Sequence, residues 1–409
     1  MDLPKIDLEF LTEDERLREL CRRYWRRDGS RWVEAPSHIA QELGIGGSEL
    51  PARLAEYSTA HLRGVTCSSC SRELTFSKRS NARPYLLPDP PPRPTPPAEC
   101  EACIDARQAE AEKRARDKVE ARYEVSKFDP TDPYGGGVRE VLFFLALHAL
   151  GSTDDDPTRI QSIHSLKVPL TPAGRLNLSL ANVLFEQGLI VPDPASPLDA
   201  FFWESDEPTQ FYVDKVSWVV PGPPNEIPAV LRILRDRLRD ARLNVPELEH
   251  VWHEIAAAEL HEFLAFSLDV RGLPCPEGER ITQVINMALR HFPVAHLFRA
   301  AWGAVPKTEK WEEERGLELS PESLANGALT FFENSVNTAV ERGWHVQPGF
   351  RNPRCPQSMV SKMLSQAVAG DDEAIFTLGL EGALALDWSP SEPQATVPEE
   401  LDGQPDPPS

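Results

Sequence analysis

Long apolar runs are missing from this chain of 409 residues: the longest, Val141 to Leu147, falls far short of the roughly 20 residues that span a bilayer. Charges stand near the N-terminus where a secretory signal would carry its apolar stretch, so a cytoplasmic protein with no membrane role is expected. Cysteine is scarce and odd in number, seven in all, which excludes a disulfide framework and makes close pairs of cysteines suggestive of metal. Lysine is rare too. Ten lysines against 33 arginines hint at a GC-rich genome. No repeat of fixed period is present, and neither are G-x-x-x-x-G-K-[ST], G-x-S-x-G or a G-x-G-x-x-G following a strand.

What is present is 41% hydrophobic residues, enough for two or three domains with sizeable cores. The net charge of -21 is unevenly placed. Residues 1 to 128 hold 22 basic and 22 acidic side chains, so the excess belongs entirely to residues 129 to 409, with 21 and 42. Within the neutral part the bases cluster, at Arg16, Arg18, Arg22, Arg23, Arg26, Arg27 and Arg31 and again at Arg72, Lys78, Arg79 and Arg83. A phosphate-binding surface belongs here, unless the arginines only solvate a helix whose acids cancel their field.

Helical spacing of Leu17, Leu20, Cys21 and Tyr24 predicts a helix from Leu11 to Arg27, with Thr12 and Glu15 as a capping box. A second helix starts at Ser37 and stops at Gly44; a third, capped by Ser48, carries Leu50, Leu54 and Tyr57. The segment Ser37-His-Ile-Ala-Gln-Glu-Leu-Gly-Ile with its following turn and helix resembles the helix-turn-helix of bacterial transcription regulators. That resemblance covers about 50 residues and implies a third helix in the DNA major groove, with Ser48, Glu49 and Arg53 near base edges; Lys78, Arg79 and Arg83, outside it, belong to the basic cluster expected to meet phosphate. The third helix departs from the pattern in its acids, which repel the backbone. The competing reading is a helical trio used for packing or protein contact.

Cys67-Ser-Ser-Cys70 lies between two short alternating stretches, and Cys100-Glu-Ala-Cys103 opens a charged helical stretch running to about Lys127. A knuckle on a hairpin with a second pair at a helix N-terminus resembles treble-clef and zinc-ribbon sites, in which four thiolates saturate a structural zinc and leave no position for catalysis. The 29 residues between Cys70 and Cys100 exceed the common spacing, and eight prolines from Pro84 to Pro97 account for most of the excess as a stiff, extended spacer. The helix from Ile104 to Val125, with Glu110 to Arg114 and Glu112 to Arg116 at favourable spacing, can stand in solvent and spans about 30 Å.

Asp129 to Gly137 reads as a domain boundary. Beyond it are expected a buried helix from Val138 to Leu150 with His148 in its core, a helix from Leu170 to Gln187, a strand from Phe211 to Val220, and helices near 225–243, 247–271, 279–292, 294–304, 320–342 and 357–369. From Trp388 the chain is Pro-rich and acidic, as in a disordered tail. Glu247, His250, His253, Glu254, His261 and Glu262 share one helix but lack the second E-x-x-H of a di-metal bundle and the spacing of H-E-x-x-H. Cys275 and Cys355 each precede a proline, without an evident histidine partner in sequence.

The expected architecture is therefore mainly α: a helix-turn-helix domain (1–61), a four-cysteine zinc module with Pro-rich insert and charged helix (62–127), a larger acidic α-helical domain with a minor β element (128–387) and a tail (388–409). The expected function is DNA binding by the N-terminal half, with the acidic domain sensing a ligand or docking a protein. A zinc-stabilised adaptor that contacts only proteins, and an enzyme whose site is assembled from distant residues, are the alternatives.

Overall fold

In the computed structural model, which describes residues 5–29, 31–86, 99–128, 136–153, 155–315 and 319–386, the chain is mainly helical. It forms two compact units, Met1–Asp117 and Lys118–Ser409. The Pro-rich spacer, the boundary at 129–135 and the acidic tail lie largely or wholly outside the described residues. No helix among the described residues is long and apolar enough to cross a membrane.

The first unit begins with strand β1 (Ile6–Phe10) and helix α1 (Glu15–Trp25). Asp14, not Thr12, caps α1: its carboxylate accepts from the amides of Arg16 and Leu17, while the Thr12 hydroxyl accepts from Asp14 N–H. The apolar stripe of α1 is buried through Leu20, Cys21, Tyr24 and Trp25. A hairpin of β2 (Arg27–Asp28) and β3 (Arg31–Trp32) follows, then α2 (Pro36–Leu43) and α3 (Leu50–Ala55). Neither helix has the side-chain cap expected from Ser37 or Ser48; Pro36 and Pro51 instead occupy the first turns, where a missing N–H costs nothing. Gly44 ends α2 at φ 69, a conformation that glycine adopts without steric cost.

Strand β4 (Ser58–Thr66) runs antiparallel to both β1 and β5 (Glu73–Phe76), giving the order β1-β4-β5. Because β4 crosses position 61 and one core joins Leu20, Ile39 and Leu54 to Leu74 and Cys100, the segments expected as separate domains 1–61 and 62–127 share one core as far as Asp117, while Val119 and Tyr123 belong to the core of the second unit. Helix α4 (Arg79–Ala82) follows β5, and α5 (Glu101–Arg122) begins beside the cysteine cluster. Only Val119 on α5 is buried, in keeping with its charged sequence, and Arg114 donates to Glu110 at 3.0 Å as expected.

The second unit is organised around α6 (Val138–Gly151), buried from Val141 to His148. The short strands β6 (Ser152–Thr153), β7 (Asp156–Ile160) and β8 (Val191–Pro192) join β11 (Trp218–Val219) in a sheet of order β6-β7-β11-β8, with α7 (Gly174–Glu186) between β7 and β8. The long strand expected from Phe211 to Val220 is divided. Phe211 closes a hairpin of β9 (Phe201–Glu204) and β10 (Glu207–Phe211), whose two-residue turn puts Ser205 and Asp206 at positive φ. Helix α7 starts four residues later than expected, and the Thr171 hydroxyl donates to Ala173 O just before it.

Seven further helices complete the unit up to residue 377: α8 (Ile227–Asp240), α9 (Val245–Asp269), α10 (Glu279–Leu289), α11 (Val294–Arg315), α12 (Pro321–Arg342), α13 (Met359–Ala369) and α14 (Ala374–Thr377), followed by α15 (Leu380–Leu384). Helix α11 continues past Pro306, beyond the stop expected near residue 304. The Thr308 hydroxyl donates to Ala304 O at 3.3 Å, and packing against α12 holds the helix.

Candidate metal centre

Two features bring the four cysteines together. After β4, Cys67 N–H donates to Arg72 O (2.7 Å) and Ser71 N–H to Cys67 O (2.9 Å), folding the chain into a tight knuckle with Ser71 at φ 59. Across from it, the Cys103 and Ile104 amides donate to Cys100 O, so the second pair sits on the opening turn of α5. Glu101 anchors that turn by accepting from the Ser77 hydroxyl (2.9 Å) and Asn81 (3.4 Å), while Glu99 accepts from Ser69 (2.8 Å). The knuckle and the helix end are thereby tied side by side.

The sulfurs of Cys67, Cys70, Cys100 and Cys103 all lie within 4.8 Å of one another, and Cys70 and Cys100 are 3.7 Å apart. That is far longer than a disulfide and close to the edge of a tetrahedron with metal–sulfur bonds of about 2.3 Å. Cys67 and Cys100 are buried; Cys70 and Cys103 are half-buried. The Cys67 sulfur accepts from Cys100 N–H (3.3 Å) and Ser69 N–H (3.4 Å). Donation from Cys100 N–H, with help from the Cys70 and Ser69 amides, draws its pKa down to about 6. Arg72 lowers Cys70, whereas its sulfur neighbours, Cys100 first, push Cys103 up to about 12. Four sulfurs this close repel as thiolates, and a divalent cation between them removes that repulsion. The cluster is thus positioned to hold a metal ion, and it is the one such group of His, Cys, Asp or Glu among the described residues.

The residues proposed for nucleic acid fall into two groups. Ser48 and Glu49 are exposed at the start of α3, and Arg53 on the same helix pairs with Glu56 at 2.7 Å and lies 5.6 Å over the Tyr57 ring. Lys78 and Arg83 are exposed at the two ends of α4. Arg79 between them is not at the surface: only 6% exposed, it lies over the rings of Tyr24 (4.2 Å) and Trp32 (4.7 Å) and donates to Glu34 O at 2.7 Å. It clamps α4 to α1 and β3, which takes it out of the basic surface.

In the second unit the polar residues of α9 are engaged in holding the fold. Glu247 accepts from Val138 N–H at the start of α6, Glu254 takes a bidentate pair of hydrogen bonds from Arg139 at 2.7 Å each, and His253 bonds Asn286 at 3.0 Å. His148 is the satisfied core histidine expected, bonded to Pro157 O at 2.9 Å. One neighbour escaped sequence reasoning. His261 lies 3.8 Å from Glu262, and its interactions with Cys275 first and Glu262 second raise its pKa to about 9. Cys355 is half-buried, and its partial desolvation pushes its thiol up to about 11. Compared with known protein families, characterised proteins and solved structures, the chain matches none.

Proposed function

We propose that this chain is a nucleic-acid-associated, DNA-binding protein whose N-terminal unit is held together by structural zinc. The observation that carries the reading is the four-sulfur cluster, which fastens β4, β5 and α5 around the same core as α1, α2 and α3. An all-thiolate tetrahedral set suits zinc, and it leaves no open coordination position for chemistry. The exposed bases Lys78 and Arg83 would meet phosphate, and Ser48, Glu49 and Arg53 would face bases. The acidic second unit would sense a ligand or dock a protein.

One observation favours a second reading. Arg53, the sole base on α3, is already neutralised by Glu56, as suits a zinc-stabilised adaptor that contacts proteins only. An electrophoretic shift of the full chain with genomic fragments at low salt separates the two. Retarded fragments, lost on zinc removal, support DNA binding; Arg53→Ala should then reduce sequence preference more than total affinity, since a bidentate base contact is worth roughly 1–3 kcal/mol. No retardation of any DNA leaves the adaptor.

A further inference from the structure

A groove of about 650 Å³ lies between β1 and the C-terminal half of α1, lined by Lys5, Ile6, Leu8, Trp25, Arg26 and Arg27 among others. One wall is a strand edge with unused hydrogen-bonding groups. Arg63 N–H donates to Lys5 O and Leu11 N–H to Tyr57 O, which fixes the odd-numbered residues of β1 as the ones bonded to β4. The main-chain groups of Ile6, Leu8 and Phe10 consequently point away from the sheet, and among the described residues no strand pairs with that edge.

Charges of both signs line the groove, and part of them is already paired: Asp7, Glu19, Arg22 and Arg23 on its walls are all held in ion pairs. Arg18 is paired with Glu13, Arg22 with Glu15 and Glu19, and Arg23 with Glu34 and Glu42. Lys5, Arg26 and Arg27 have no carboxylate partner among the described residues. Arg27 is half-buried and spends its hydrogen bonds on Gly29 O, at 2.7 and 3.1 Å, so its charge is partly desolvated and uncompensated. Such a guanidinium favours an incoming anion.

We infer that this groove is a docking site for an extended acidic peptide, which adds as a fourth strand to β1 and sets its carboxylates against Lys5, Arg26 and Arg27. Charge complementarity demands an anion, and the strand edge selects among anions. A phosphodiester chain offers acceptors only and leaves the outward carbonyls of Ile6 and Leu8 unpaired, whereas a peptide supplies both donors and acceptors at the spacing of the ladder. The inference goes beyond DNA binding and stands or falls apart from it.

The test uses the full chain with its metal and a fluorescent decapeptide of alternating Glu and Val, read by anisotropy. Saturable binding is expected, weakened about tenfold or more by Arg26→Glu with Arg27→Glu. N-methylation of the peptide at every second residue should abolish binding in one register and spare it in the other, because only one set of N–H groups faces β1. Leu8→Pro, which removes one outward N–H and leaves the ladder to β4 intact, should weaken binding too. The methylated peptides keep the test independent of whether that variant folds. Absence of binding overturns the proposal, as does equal binding of both methylated registers; displacement by oligothymidylate together with that equality would make the groove a phosphate site.

Discussion

Arg351 donates to the carboxylate of Glu259 at 2.7 Å, in a part of the second unit where Glu259 is only 4% exposed. Burial raises the pKa of Glu259, and Arg351 first, then Ser361, oppose that shift; the guanidinium also bonds Glu373 and lies over Phe376. Arg351→Met should destabilise the second unit by about 3–5 kcal/mol, as expected when a buried charge loses its partner. Replacing both, with Glu259→Leu added, should recover much of that loss in denaturant unfolding. Equal destabilisation by the single and double variants would show that the pair is not what holds α9 to the segment around residue 351.

His261 makes the stability of the second unit fall on the alkaline side. Its pKa is raised from 6.5 to about 9 by Cys275 first and Glu262 second, against burial and the charge of Arg175. The folded state therefore holds the proton more tightly than the unfolded state, and this contribution is complete below pH 6.5 and lost as pH rises through about 9. His148 works in the opposite sense: burial lowers its pKa, so protonation costs stability as the pH drops through the range below 6.5. The melting temperature should decline from pH 6.5 to 9, and His261→Gln should flatten that limb. Parallel curves for the two proteins would rule out His261 as the cause.

Metal should be bound at about one equivalent per chain by elemental analysis. Cys100→Ser removes a buried sulfur from the cluster while keeping the main-chain N–H that donates to Cys67, and structural zinc is worth on the order of 10 kcal/mol to a small module. Hydrogen exchange should then show the region around β4, β5 and the start of α5 opened while the second unit keeps its protection. Full protection of the N-terminal unit in metal-free protein would contradict a structural role.

Arg79 contributes through its two aromatic faces and its hydrogen bonds to Glu34 O and Arg23 O. Arg79→Ala should cost about 2–4 kcal/mol, and Arg79→Lys should recover only part, since an ammonium lacks the flat surface that lies over both rings. Thermal unfolding of the metal-loaded protein measures both. If Arg79→Ala instead weakens DNA retardation without changing stability, the residue acts at a surface.

The four-cysteine cluster is legible in the sequence because each C-x-x-C pair declares itself within four residues, and so are the helices of the second unit because burial at 3.6-residue spacing is local. Strand β1 is only half legible: Ile6, Leu8 and Phe10 alternate with Asp7 and Glu9, but its partner β4 begins some 50 residues later. Its free edge and the groove beside it depend on that distant pairing. The fate of Arg79 was hidden for the same reason. A basic residue between other bases reads as surface until Tyr24 and Trp32 are brought to either side of it.

The four sulfurs also act on the chain as a polymer. A single ion joining Cys67 and Cys70 to Cys100 and Cys103 would close a ring containing the 29 residues between the pairs, and the entropy of closing a ring grows only with the logarithm of its length. Doubling a flexible segment there would add about 0.6 kcal/mol, small beside the strength of metal–thiolate binding. Seen this way, the unusual spacing between the two pairs is a site where the chain can lengthen or shorten at little cost, with the clasp unchanged.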